Sequence, residues 1–303
     1  MRAVARLALA GLLWIAAVAP ASACEGPFPL HDDRHPLLQA RLESALRQAG
    51  LGDPLDRKQL TVALVDLTWP DAIAYAGIHD ERMLYAASLP KIAILLALFE
   101  SFAHGEKRWE EPFRWKVEQM INVSSNAEAT WAAEQVGLLE IGRVMKDPRY
   151  CFYQAGVGGL WAGRPFRKGG PSHREPLKQL SHAATARQAA RFYVLLDREL
   201  LVSPHWSRYM RHLMSPPGYH HKFVGALEGR PGVRFVARKS GSWSVFHSDS
   251  ALIQHGHVRY VLAALAEHPN GEALMRQVAE VADDVVMIGE HRSFRARLAA
   301  RGR

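Results

Sequence analysis

Apolar residues recur along this chain with two different periods. In HPLLQARLESALRQAG (residues 35–50) they are spaced three and four apart as far as Gly50, which predicts an amphipathic helix. LTVALVDL (60–67) is apolar and rich in β-branched residues, which predicts a strand. AIAYAG (72–77) and RMLYAAS (82–88) flank the turn-like IHDE, so they extend this strand into a meander.

The middle of the chain has mainly helical periodicity, from Ser88 to about residue 214. A Gly- and Pro-rich passage, GVGGLWAGRPFRKGGPSHREP (156–176), interrupts it and is too long for a simple connection, which favours a functional loop. Strand patterns then return in VRFVARKSGSW (233–243), SVFHSDSALIQ (244–254) and VRYVLAALAE (258–267). GEALMRQVAEVADDVVMIGE predicts a closing helix.

This order of elements predicts an α+β fold of the α/β sandwich type. One antiparallel sheet, built from both ends of the chain and flanked by helices, would form a sheet lobe of about residues 35–87 and 231–303. An all-helical lobe of about residues 88–230 would be inserted between them. The cleft between two lobes is a common place for a site, and Ser88 begins the inserted lobe.

The first 23 residues have the pattern of a signal peptide. Arg2 and Arg6 precede an apolar run too short to span a bilayer, and Ala21 and Ala23 occupy the small-residue positions of a cleavage site. We therefore expect a periplasmic or secreted protein whose domain begins at residue 24. Cleavage would leave Cys24 first, and its lipidation is the alternative that would bring the protein to a membrane.

Composition and cysteine content add few constraints. The chain is 48% hydrophobic and 22% charged, which suits a large core, and it carries a formal charge of +8. Five arginines lie in the C-terminal HRSFRARLAARGR, which we interpret as a solvated helix end, and nucleic acid is not an expected partner of an exported protein. Cys151 is the second of two cysteines, so Cys24 is lipidated, free or paired with it.

A serine and a lysine three residues apart stand at the start of an apolar helix pattern. In SLPK, Ser88 and Lys91 would share one helix face, close enough for the amine to take the serine's proton. Burial and positive neighbours can lower a lysine pKa toward neutrality, and Pro90 is tolerated in a first helical turn. Serine and lysine at this spacing also arise by chance, so this motif alone is weak.

Two further motifs follow in order. Ser124, Ser125 and Asn126 begin another helical stretch, and Lys239, Ser240 and Gly241 end a strand pattern. With SxxK, these SxN and K[ST]G elements make the sequence similar to the class A beta-lactamase-like serine hydrolases of the penicillin-binding protein superfamily, over roughly residues 35–290.

The resemblance implies a role for each matching residue. Ser88 would be the acylated nucleophile, Lys91 its base or proton relay, and Ser124 the proton donor to the leaving nitrogen. Asn126 would bind the substrate amide, while Lys239 and Ser240 would hold its carboxylate. Gly241 would allow close approach to the strand, and the backbone N–H groups of Ser88 and Ser242 would form the oxyanion hole.

Each residue also has an ordinary structural explanation. Ser88 and Asn126 could be helix caps, Lys91 could extend its amine to the surface along its apolar stem, and Lys239 could be a solvated strand residue. The ordered set of three motifs favours the catalytic interpretation over these alternatives.

Three features depart from the family pattern. Ser125 replaces the usual Asp, and only 36 positions separate Ser88 from Ser124, which implies a trimmed helical lobe. The glutamate that activates the deacylating water has its nearest match in Glu175, but the surrounding residues of that loop are missing. A catalytic Glu175 is thus a hypothesis beside that of a surface charge. The other candidate bases are His173, His182, His247 and Asp249.

Neither a cofactor nor a metal is predicted. The histidine pairs His220 and His221, and His255 and His257, do not match a zinc-hydrolase motif such as HExxH.

The sequence therefore predicts an exported serine hydrolase that forms an acyl-enzyme on Ser88, with beta-lactam hydrolysis favoured. A D-alanyl-D-alanine-type peptidase or an esterase is the alternative within the same chemistry. A protein that binds peptidoglycan or another ligand without turnover is the alternative from another class. The expected partner is a small beta-lactam or an acyl amide or ester, with peptidoglycan as a further candidate.

Overall fold

A computed structural model describes residues 26–30, 34–70, 72–106 and 108–301, with side chains as far as residue 289. The predicted signal segment, Cys24 and the side chains of the C-terminal arginines lie outside the described residues. Cys151 is buried and disulfide-bonded, so it is not a free thiol. No helix in the described part of the chain is both long and apolar enough to cross a membrane.

The long helices and strands follow the predicted order, but four short strands between residues 153 and 184 lie in the inserted lobe, so this lobe is not all-helical as predicted. The helices are α1 (Pro36–Leu46), α2 (Gly52–Asp56), α3 (Lys91–Ala103), α4 (Glu111–Ile121), α5 (Asn126–Val136), α6 (Leu138–Lys146), α7 (Ala186–Asp197), α8 (Pro204–Leu213), α9 (Phe223–Leu227) and α10 (Gly271–Arg301). The strands are β1 (Leu60–Trp69), β2 (Ala72–Ile78), β3 (Leu84–Tyr85), β4 (Tyr153–Gln154), β5 (Gly158–Gly159), β6 (Trp161–Ala162), β7 (His182–Ala184), β8 (Val233–Trp243), β9 (Phe246–His255) and β10 (Val258–Glu267). A π-helical turn, Arg47–Leu51, links α1 to α2.

A five-stranded antiparallel sheet in the order β2-β1-β10-β9-β8 joins the two ends of the chain. Strand side chains alternate between faces, and β1 shows this directly. Val62 and Leu64 lie in a core with α1 and α10, whereas Ala63 and Val65 lie in a second core with α3 and α7. The predicted α+β fold, a sheet from both chain ends with helices around it, is confirmed.

A small second sheet positions the loop beside Ser88. Its strand order is β3-β7-β6, with Tyr85 opposite Ala183 and Ala162 opposite His182. The chain between β6 and β7, residues 163–181, is called the 163–181 loop below. Because β3 leads directly into the turn that contains Ser88, this sheet fixes the loop against the nucleophile.

Candidate active site

Ser88 lies in a tight turn between β3 and α3. The preceding residue, Ala87, has a left-handed backbone (φ 50°), and the amide of Lys91 donates to the carbonyl of Ser88 at 3.2 Å. Pro90 caps α3, where no intrahelical partner is needed for its missing N–H. The turn leaves the side chain of Ser88 partly exposed at the start of a helix that is otherwise buried.

Lys91 is fully buried behind this turn. Its Nζ donates to the carbonyl of Ser124 at 2.6 Å, to Ser124 Oγ at 3.2 Å and to Asn126 Oδ1 at 2.9 Å. Desolvation lowers the pKa of Lys91 to about 7. Near neutral pH a large share of this lysine is therefore an amine that can accept a proton.

Ser124 connects the two lysines of the site. Its backbone is left-handed (φ 55°), and its Oγ, near Lys91, also accepts from Lys239 Nζ at 2.8 Å. The neighbouring Ser125 caps α5 by accepting from the amide of Glu128 at 3.2 Å. A serine hydroxyl thus holds the start of α5 at the position where the family usually has Asp.

Lys239 is buried on β8, on the side that faces Ser124. Its Nζ also donates to the carbonyl of Ser240 at 2.8 Å, and burial together with the charge of Lys91 holds the pKa of Lys239 well below its usual range. Ser240 Oγ lies 3.1 Å from His221 Nε2. Neither Lys239 nor Ser240 lines the cavity, so the structure does not show them exposed to a substrate carboxylate.

Gly241 brings β8 into direct contact with the Ser88 turn. A Cβ on this residue would lie 2.5 Å from the carbonyl oxygen of Ala86 and 2.6 Å from the amide nitrogen of Ser88. Only glycine fits this approach, and the residue after it, Ser242, lines the same cavity as Ser88.

We expect Gly241→Ala to slow acylation of the protein by at least about tenfold and to lower its free energy of unfolding by about 1–3 kcal/mol, because the added methyl group overlaps backbone atoms. Denaturant unfolding and rates of adduct formation with a reactive ester measure both effects. Gly229→Ala is the matched control, since a Cβ there meets nothing within 4 Å. Equal behaviour of the two variants would contradict the tight contact.

Lys222 was not predicted from the sequence. It is fully buried, and its Nζ donates to the carbonyl of Gly241 at 2.5 Å and to that of Ser248 at 3.0 Å. Burial lowers the pKa of Lys222 to about 8. The Gly241 carbonyl shares its peptide group with the N–H of Ser242, so Lys222 fixes the orientation of that donor. No motif marks this lysine.

A cavity of about 660 Å³ opens in front of Ser88. Of the nine predicted site residues, Ser88, Asn126 and Ser242 line it, while Lys91, Ser124 and Lys239 form a hydrogen-bonded row behind them. The other walls come from the 163–181 loop and from side chains near β3, β7 and β8; they include Arg164, Phe166, Tyr85, His182 and Trp243.

Glu175 does not line this cavity. Its buried carboxylate accepts from the amides of Leu177, Lys178 and Leu180 at 2.7, 2.7 and 2.9 Å, and from the Tyr153 hydroxyl at 2.7 Å. Desolvation opposes ionisation, but these hydrogen bonds outweigh it and lower the pKa of Glu175. The geometry therefore supports a structural role for Glu175 in holding the 163–181 loop. It does not support the predicted role of Glu175 in activating water.

Phe166 occupies the space beside Lys91 instead. Its ring centre lies 4.6 Å from Lys91 Nζ, and the ring stacks on His182 with centroids 4.2 Å apart. His182 lines the cavity, but burial and the charge of Lys91 lower its pKa to about 3. An imidazole with so low a pKa is a weak proton acceptor.

The other candidate bases and the histidine pairs lie outside the cavity. His173 packs on Trp161, and Asp249 pairs with Arg238 at 2.7 Å. His247, next to Gly271, is likewise not among the lining residues. Among the histidine pairs, His220 binds Glu228 and His255 binds Asp283. The described residues contain no group of three or more His, Cys, Asp or Glu side chains arranged to hold a metal.

Comparisons with known proteins agree with this fold. The model of the family described as "Beta-lactamase enzyme family" matches residues 162–286, which include Lys239–Gly241. No curated protein matches the chain.

Three solved structures cover most of the chain. One is a variant of PBP-A as an acyl-enzyme complex with penicillin-G, with 18% identity, a TM-score of 0.63 and coverage of 84% of this chain and 97% of that one. A beta-lactamase from Sphaerobacter thermophilus DSM 20745 has 14% identity, a TM-score of 0.62 and coverage of 81% and 95%. A beta lactamase from Xanthomonas campestris pv. campestris has 17% identity, a TM-score of 0.61 and coverage of 82% and 97%. The predicted resemblance is confirmed.

Proposed function

We propose that this chain, a beta-lactamase-like hydrolase by its fold and family match, is acylated on Ser88 by amide or ester substrates. The observation that carries the proposal is the hydrogen-bonded row Lys239–Ser124–Lys91, in which Lys91 begins α3 three residues after Ser88. Its buried lysine, with a pKa of about 7, is suited to act as a base near neutral pH.

The first half-reaction uses residues on both sides of Ser88. Ser88 Oγ attacks the acyl carbon while its proton moves to neutral Lys91, and the amides of Ser88 and Ser242 stabilise the oxyanion. The C–N bond then breaks as Ser124 Oγ gives its proton to the leaving nitrogen. Lys91, 3.2 Å from that oxygen, returns a proton to Ser124, so the charges balance.

The second half-reaction, hydrolysis of the acyl-enzyme, has no comparable set of assisting residues among those that line the cavity. None of the fourteen described residues that line the cavity is Asp or Glu, and the apolar Phe166 lies beside Lys91 where a base would be needed. We therefore propose that penicillins acylate Ser88 and that the resulting acyl group is released slowly. This favours the peptidase or esterase alternative over fast beta-lactam hydrolysis.

Export is part of the proposal. Its support is the signal-like sequence of residues 1–23, which would deliver the hydrolase to the compartment where peptidoglycan is found.

An intact-mass time course tests the function directly. Incubation with penicillin-G, or with an activated ester, should add one acyl group, and digestion should locate it on the peptide that contains Ser88. Absence of an adduct with every donor would contradict the proposal. An adduct that never leaves, with any amide or ester, would instead support the binding protein without turnover.

Phe166→Glu should accelerate loss of the penicillin adduct by at least about tenfold. A carboxylate beside Lys91 and Ser88 could activate water, although a single replacement places it less well than the bases that contribute about 10² to 10⁴ in enzymes. Phe166→Gln is the matched control, with the same shape and no basic oxygen. The slow-release explanation fails if both variants lose the adduct at the same rate.

A further inference from the structure

One wall of the cavity carries an excess of positive charge. Arg164, Arg167 and Lys168 all line it, and they come from a single stretch of the 163–181 loop. Arg167 pairs with Glu134 at 3.0 Å. Within the described residues, Arg164 and Lys168 have no carboxylate partner, and Arg164 is half-buried, so its charge is only partly solvated.

Hydrogen bonds on both sides hold Arg164 in place. The amide of Gly163 donates to the carbonyl of Ser181 at 2.7 Å, and the amide of Phe166 donates to Thr130 Oγ1 at 3.0 Å. The backbone at Arg164 is thus fixed before a ligand binds, which reduces the entropy lost when its side chain engages an anion.

The charge of Arg164 reaches the interior of the cavity. It lowers the pKa of His182, after the larger effects of burial and Lys91, and it opposes the rise that burial causes in the pKa of Tyr85. His182 and Tyr85 both line the cavity. A positive potential between low-dielectric aromatic walls attracts anions strongly.

This wall differs from the part of the site that serves the leaving group. Ser124, the proposed proton donor to the leaving nitrogen, lies in the row with Lys239, and Lys239 is committed to Ser124 Oγ and the Ser240 carbonyl. The 163–181 loop forms a separate wall of the cavity. We therefore infer that this wall contacts the acyl portion of the substrate.

We propose that Arg164, assisted by Lys168, forms a subsite for a carboxylate on the acyl portion of the substrate. The preferred donors are then amides or esters with an anionic acyl group. This inference rests on the proposed acylation of Ser88.

Two penicillins that differ by one carboxylate test the subsite. Carboxybenzylpenicillin carries the additional group on its acyl side chain, and benzylpenicillin lacks it. The wild-type protein should be acylated roughly tenfold more efficiently by the carboxylated compound, since a hydrogen bond between charged groups has about this effect. Arg164→Ala and Arg164→Gln should both remove the preference, and added salt should weaken it.

Arg174→Ala is the control, because it removes the same charge from the same loop at a residue outside the cavity. Equal acylation by the two compounds in wild type, or a preference that survives in both Arg164 variants, would overturn the subsite and leave the proposed function intact. If neither compound nor an activated ester forms an adduct, the proposed function fails. Calorimetric titration with phenylmalonate and phenylacetate then tests the subsite alone, and equal binding of the two would overturn it.

Discussion

Ser88→Ala is expected to abolish formation of the acyl adduct. The replacement removes the only nucleophile proposed for the reaction, and the two lysines of the site are buried and hydrogen-bonded to Ser124. Intact-mass measurement over several hours should show unmodified protein at donor concentrations that modify the wild type fully. The fold should persist, since the exchange is small and the site is partly exposed, and the free energy of unfolding should change by less than about 0.5 kcal/mol.

Ser181→Ala is the control for this experiment. Ser181 also lines the cavity, and the replacement removes a hydroxyl without altering the row of lysines behind Ser88. The Ser181→Ala variant should form the acyl adduct on Ser88 at a rate close to that of the wild type. A full adduct on the Ser88 variant would place the nucleophile elsewhere and contradict the proposed chemistry.

Lys91→Met should slow acylation by about 10² to 10⁴, the range of general-base contributions, because methionine keeps the apolar stem and removes the amine. The pH dependence of the acylation rate tests which protonation state of Lys91 is active. Lys91 accepts a proton only as the neutral amine, so the wild-type acylation rate should fall as the pH drops below about 7 and level off above it. In the variant this inflection should disappear.

Stopped-flow or quenched mass measurements between pH 5.5 and 8.5 provide both rates. Lys116→Met is a suitable control, since Lys116 forms a surface pair with Glu128 at 3.0 Å and lies outside the cavity. A wild-type rate that does not change across this pH range, or a normal rate in Lys91→Met, would remove Lys91 from the role of base.

Periodicity predicted the long elements well because their burial repeats along the chain. β1, β8 and β10 lie where alternation or apolar runs placed them, and α1 covers most of the helix predicted for residues 35–50. The predicted strand RMLYAAS is shortened to Leu84–Tyr85. The left-handed backbone at Ala87 ends extended structure before Ser88, and no composition signal marks that change.

Several motif residues lie close together in the structure, since Lys91 and Asn126 begin α3 and α5 and Ser124 lies just before α5. Lys91, Ser124 and Asn126 lie within hydrogen-bond distance, and Lys239 reaches Ser124 across the sheet edge. The 163–181 loop could not be placed in this way. Its position depends on the pairing of β7 with β3, far away in sequence, and of β6 with β7. With the loop held in this way, Phe166 lies beside Lys91 and Glu175 lies among backbone amides.

The pairing of β1 with β10 has a consequence for biosynthesis. Val62 lies opposite Ala264, so the central sheet cannot close until residue 264 has left the ribosome, long after Ser88 has done so. Lys239 and the Ser242 amide reach Ser88 only through that sheet. A nascent chain therefore carries Ser88 without Lys239 or the Ser242 oxyanion donor until β8 has joined that sheet.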